Sequence, residues 1–285
     1  MLNSSLKKEA VEKLKKEVTD YENAQKNVQK AALNLHNSRT SALEVIDNVE
    51  RYINSIANTP KEFDKEFDAI CINTASFKAL SEITYDEKLM IKIAGGGSAA
   101  GVAAGVATAA FAPTAAMAIA TTFGTASTGA AISGLSGAAA TNAALAWLGG
   151  GALAAGGTGG GMAAGNALLA LAGPIGWSIG VASLVAGGVF ASKKNKEAAI
   201  KADEERLEIV KERRKIDAIQ YEIVELNSTT KKLMNELYKM ITNFTNSAQC
   251  IASFQQYSSD QRQELITIIN NTSSLSKLFM KEIGK

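Results

Sequence analysis

The sequence predicts an all-α protein: an elongated helical bundle or coiled coil with a central Gly/Ala-rich, apolar, membrane-inserting hairpin. Three observations carry this expectation. Residues 93–192 are one hundred consecutive positions without Asp, Glu, Lys, Arg or His, and they hold 23 of the chain's 24 glycines. Both flanks repeat apolar residues at three, four and seven, the spacing of a helical stripe. The flanks also mirror each other, each reading as a long helix followed by a short one, with no residue-level repeat apparent in the sequence.

Three segments follow: residues 1–92 as N-terminal amphipathic helices, 93–192 as the uncharged membrane segment, and 193–285 as C-terminal amphipathic helices packing on the first set. All 30 basic and 28 acidic residues lie in the flanks. A hundred residues without a charge make a poor water-facing surface, so a bilayer or a cover of other helices is implied. The flanks are nearly neutral, with 14 basic and 15 acidic residues before the block and 16 and 13 after it. No strongly basic face with interleaved aromatics emerges, which argues against a nucleic-acid partner.

In the first flank Leu6, Ala10, Leu14, Val18, Tyr21, Val28, Ala32, Leu35, Ala42, Val45, Val49, Ile53 and Ile56 form one stripe, predicting a helix over 4–58. At 1.5 Å per residue it is about 80 Å long, the length of a rod. Asn58, Thr59 and Pro60 end it. Thr59 reads as the N-cap of a second helix, with Pro60 at its first position and Glu62 completing a capping box. That helix carries Phe63, Phe67, Ile70, Thr74, Phe77 and Leu80 as an aromatic stripe expected to pack on the first helix. Thr84 and Glu87 repeat the capping pattern and start a third helix, which runs into the block.

After the block, Lys193, Lys194 and Lys196 resume the charge. A second long helix to about Gln256 carries Ile216, Ile219, Ile223, Leu226, Thr230, Leu233, Leu237, Met240, Phe244, Ala248 and Ile251 in a 3-4 alternation suited to coiled-coil packing. Ser258 with Gln261 caps a last helix bearing Leu265, Ile268, Thr272, Leu275, Phe279 and Ile283.

Within the block, residues 166–191 are the stronger candidate for a crossing and include Pro174 and Trp177; a bilayer takes about 20 residues. Residues 98–123, broken by Pro113, are the weaker one. Most apolar atoms here belong to Ala, so the transfer energy is small and insertion marginal. Gly97, Gly101 and Gly105, and again Gly157, Gly161 and Gly165, repeat every four residues. Such glycine zippers let helix backbones approach closely where lipid supplies no hydrophobic drive, and imply a homo-oligomer. Between them, 124–160 mixes hydroxyl residues with Trp147 and reads as re-entrant, interfacial or pore-lining. Lys88 and Lys92 before the block and three lysines after it favour an even number of crossings, with both flanks on one side.

No catalytic, cofactor-binding or metal-binding constellation survives inspection. His36 is the only histidine and reads as a polar-face or interface residue. Glu62, Asp64, Glu66 and Asp68 alternate along a helix and read as a solvated face. Gly149, Gly151 and Ala154 fit a loose dinucleotide fingerprint, but no β-branched strand precedes them and no acidic residue follows at the required distance. Cys71 and Cys250 read as small buried apolar residues. The first ten residues carry Lys7 and Lys8 with no apolar run behind them, so the expectation is synthesis in a cytoplasm without a signal peptide, then association with an inner or plasma membrane.

The order of long amphipathic helices, apolar hairpin and long amphipathic helices resembles the helical pore-forming toxins of the haemolysin E and Hbl/Nhe enterotoxin type. That resemblance implies a soluble form hiding the hairpin against the bundle, and oligomeric insertion on membrane contact. The hairpin here is longer and richer in glycine. Residues 138–165 are also similar in composition to small interferon-induced membrane proteins and apolipoprotein L. The expected function is therefore a non-enzymatic protein that permeabilises or remodels a lipid bilayer, as a toxin or cell-death effector. Two other readings stay open: a constitutive membrane-anchored scaffold recruiting a helical protein partner, and a soluble bundle with a buried Ala/Gly core.

Overall fold

The computed structural model describes residues 4–81, 192–248, 251–281 and 283. These residues are all-helical apart from their turns and one isolated bridge. Four helices are present among them: α1 (Ser4–Asn54), α2 (Lys61–Ser81), α3 (Ser192–Ser247) and α4 (Ser259–Lys277), with a 3₁₀ turn at Phe254–Gln256. The third helix expected from Thr84 lies outside the described residues.

The long helices pack on each other through a strict heptad seam. On α1 the seam is Leu14, Tyr21, Val28, Leu35, Ala42 and Val49, and on α3 it is Ala202, Ile209, Ile216, Ile223, Thr230, Leu237 and Phe244; every one is at most 2% exposed. A repeat of seven corresponds to 3.5 residues per turn, so an α-helix keeps this face inward only by coiling about its partner. Glu17 meets Arg213, Ser38 meets Asn227 and Tyr52 meets Phe244, so the numbers rise together and the helices run parallel. Thr230 fits the apolar seam because its hydroxyl donates to the Leu226 carbonyl at 2.8 Å.

Both long helices end where the chain must reverse. α1 stops at Asn54, short of the expected Asn58, because Asn58 takes a left-handed φ of 58° that a helix cannot contain. α3 stops at Ser247, short of Gln256, because the backbone beyond it leaves the helix to bond the other turn. Ala57 N–H donates to the Ala252 carbonyl and Phe254 N–H to the Ala57 carbonyl, each at 2.8 Å. The Asn58 amide reaches Ser253 Oγ at 3.2 Å across this bridge.

From the paired turns α2 and α4 run back along the rod. Phe77 near the end of α2 reaches His36, while the chain runs from Tyr257, beside Tyr52, through α4 to its C-cap Leu278, beside Arg39. The predicted capping box at Ser258 and Gln261 is complete. α2 starts one residue later than expected, at Lys61, with the Pro60 carbonyl accepting from Phe63 N–H. It packs chiefly on α4 and only slightly on α1, contrary to expectation, because α3 already occupies the α1 seam. The result is a four-helix bundle at the turn end, with one core running from Ala42 to Phe279 through all four helices.

The mirror order of the flanks is therefore a repeat of two helical hairpins lying side by side in the same direction. The packing exposes a residue-level match: Ile70, Asn73, Thr74 and Ser76 correspond to Ile268, Asn271, Thr272 and Ser274. Thr74 and Thr272 are both buried, and each donates to the carbonyl four residues back, Ile70 and Ile268. Leu6, expected in the stripe, is 52% exposed, and Cys71 lies on the outward face of α2 beside exposed Ile72 instead of being buried.

Ile223→Ala, in the seam, is expected to lower stability in chemical unfolding by about 2–5 kcal/mol. Tyr221→Ala, on the outer face of α3, should change it by less than about 0.5 kcal/mol. Asn58→Val should cost about 1–2 kcal/mol where Asn58→Gly costs little, because a β-branched residue resists positive φ.

Candidate functional site

The sequence-predicted membrane and oligomerisation residues, Gly97, Gly101, Gly105, Pro113, Trp147, Gly157, Gly161, Gly165, Pro174 and Trp177, all lie outside the described residues. So do Cys250 and the loose fingerprint at Gly149, Gly151 and Ala154. No helix among the described residues is long and apolar enough to cross a membrane. α2 points toward the pole of the rod at which α1 begins, and α3 starts at that pole, parallel to α1.

The notable chemistry of the frame is a buried polar cluster where α1, α2 and α4 meet. It is built on one helical column of α1: Gln25, Ala32, Arg39, Ile46 and Ile53 recur every seven residues, so two polar side chains occupy positions an apolar residue would ordinarily take. Arg39 is 1% exposed, and its Nη2 donates to the Leu278 carbonyl at 2.8 Å. Leu278 is the C-cap of α4. The last carbonyls of a helix lack intrahelical partners and carry partial negative charge, so a guanidinium there supplies both donor and countercharge. Among the described residues no carboxylate pairs with Arg39, and burial pushes its pKa down to about 10.

His36 lies one helical turn before Arg39 and is also buried. Its ring centroid is 5.2 Å from that of Phe77, which in turn meets Phe279 edge-on at 5.2 Å. Burial, and secondarily the Arg39 charge, hold the imidazole below its ordinary pKa. His36 Nδ1, Arg39 Nε and Gln25 Nε2 are buried with no hydrogen-bond partner among the described residues. Next to them, Ser38 Oγ lies 2.6 Å from Asn227 Oδ1 and 2.9 Å from the Asn34 carbonyl, and its single proton serves one of the two at a time.

At the opposite end Tyr52, Phe244, Phe254 and Tyr257 close the turns, with the two tyrosine hydroxyls 3.2 Å apart. Burial and that hydrogen bond raise the Tyr52 pKa. Glu62, Asp64, Glu66 and Asp68 are all exposed along α2, as a solvated face requires. No group of three or more potential metal ligands occurs among the described residues.

The sequence left His36 as either a polar-face or an interface residue, of which the structure shows the buried one, and Arg39 was passed over. The signal was present: Ala32, Arg39 and Ile46 share the seven-residue spacing of the buried column. No family model, no curated protein and no solved structure matches the chain.

Arg39→Ala leaves the α4 terminus uncapped beside a cavity and is expected to cost about 2–4 kcal/mol in equilibrium unfolding. Arg39→Met keeps the volume and removes a desolvated charge, so it should cost less than half as much. An Arg39→Ala variant within about 0.5 kcal/mol of the parent would remove the capping role.

Proposed function

We propose that the chain is a non-enzymatic helical protein that inserts residues 93–192 into a lipid bilayer and oligomerises through its glycine zippers to permeabilise or remodel it, as a pore-forming toxin or a cell-death or defence effector. The observation that supports this reading is the direction of the two flanks. Their seams bury each other, α2 runs toward the pole of the rod at which α1 begins, and α3 starts at that pole. A hairpin with an even number of crossings meets that constraint; an odd number would pull the paired seams to opposite sides of a membrane, at the cost of exposing both.

The marginal hydrophobicity of the block supports exchange between a covered and an inserted state. Its glycines and alanines bury little area per residue in either environment, so neither state is favoured overwhelmingly. The order of helices and hairpin resembles helical pore-forming toxins, which supports the same reading.

A constitutive membrane-anchored scaffold is the second reading, and one observation favours it. Ile200, Leu207 and Tyr221 recur at multiples of seven on the outer face of α3, with Val224 one turn further, each at least 49% exposed. That stripe faces away from α1 and suits a partner helix.

On expression, carbonate-washed fractionation with host viability separates the two. A pool that becomes membrane-integral as cells die supports the pore-former, and integral protein in healthy cells supports the scaffold. With purified protein, Gly101→Leu and Gly161→Leu should each lose most dye release from liposomes, because one Leu side chain in the middle of a zipper keeps the backbones apart. Release unchanged by both substitutions would rule out the zippers as the assembly contact.

A further inference from the structure

His36 is the sequence's one histidine, and its side chain alone has an ordinary pKa inside the neutral-to-mildly-acid range. Among the described residues, the groups around it are cationic or neutral. On α1 it faces the Arg39 guanidinium, and on α2 it faces Phe77. Lys78 follows Phe77, and its ammonium is engaged by Asp47 at 2.9 Å. Behind Phe77 stands Phe279 of α4, next to Leu278, which accepts from Arg39; from α3 comes Asn227, an amide, at Ser38.

We propose that His36 is a proton-operated latch on the end of α2: protonated, it places a second buried cation beside Arg39 and loosens the Phe77 contact that holds α2 where the chain runs on toward the uncharged block. The proposal rests on the membrane reading for its purpose, though not for its physics. A neutral imidazole against an aromatic ring tolerates burial, whereas an imidazolium there loses hydration and gains no anion among the described residues in return.

The direction of the pH dependence follows. A base whose pKa is depressed by folding contributes nothing differential above its ordinary value, where it is neutral in both states. As pH falls through that value the unfolded chain takes up the proton first, so stability declines until the folded pKa is reached.

The test uses the full chain with its histidine ¹³C-labelled. Titrated by NMR from about pH 8 to about pH 5.5, the single imidazole resonance should have its midpoint below 6.5, and a midpoint at or above 6.5 overturns the latch. Between the same limits the thermal midpoint of the parent should fall, and that of His36→Gln should not. If Gln fails to fold, His36→Phe serves the same comparison, and the NMR titration needs no variant. Dye release from phosphatidylcholine–phosphatidylglycerol vesicles is then read at both pH values. Acid-enhanced release lost in His36→Gln supports the latch together with insertion. An acid-dependent thermal midpoint without release at either pH supports the latch and overturns the membrane reading. Equal release and equal thermal midpoints at both pH values overturn the latch and leave insertion standing.

Discussion

The parallel seam between α1 and α3 is the constraint on which the rest depends. Seven-residue spacing over the length of both helices leaves each with a face that only the other can cover. Isolated helices gain little from propensity alone, so it is this mutual burial that makes two rods of more than fifty residues stable. Parallel pairing then forces the remaining geometry. The two helices finish together, so their turns meet in the Ala57–Ser253 bridge, and the chains leaving those turns can only run back side by side as α2 and α4.

Where four helices replace two, the core changes character. Apart from Tyr21, the stem seam is built from aliphatic residues and alanine, but the bundle end recruits Phe63, Phe67, Phe77, Phe244, Tyr257 and Phe279. Large rings fill the wider space between four axes, and edge-on contacts such as Phe63–Phe254 and Phe77–Phe279 fix their arrangement. Into this apolar end the protein places an arginine and a histidine. Arg39 is tolerable because a helix terminus offers it a carbonyl and a favourable dipole; His36 is tolerable because it is neutral. Neither is the cheapest way to fill its site, since an apolar side chain of similar size would avoid the desolvation of Arg39.

Surface electrostatics add little to this picture. Lys13–Glu9, Lys211–Glu208 and Lys215–Glu212 are solvent-facing pairs along single helices, worth a few tenths of a kcal/mol each. Glu17–Arg213 differs because it crosses the seam at 2.6 Å with the carboxylate mostly buried, which helps set the parallel register.

The all-helical character of the described flanks, their heptad stripes and the Ser258 capping box were legible because each is a local property: periodicity and capping depend on residues within a turn or two of one another. The lack of charge in 93–192 was legible for the same reason. The direction of pairing was not, since a heptad seam serves parallel and antiparallel partners alike until cross-seam pairs such as Ser38–Asn227 choose. The helix ends were misread by four residues at Asn58 and nine at Gln256, because what stopped the helices was a bond between two turns almost two hundred residues apart. The partner of α2 and the exposure of Cys71 likewise belonged to the tertiary structure. Sequence determined which faces had to be covered; only the packed chain decided what covered them, because burial is a property of neighbours in space and not of spacing along the chain.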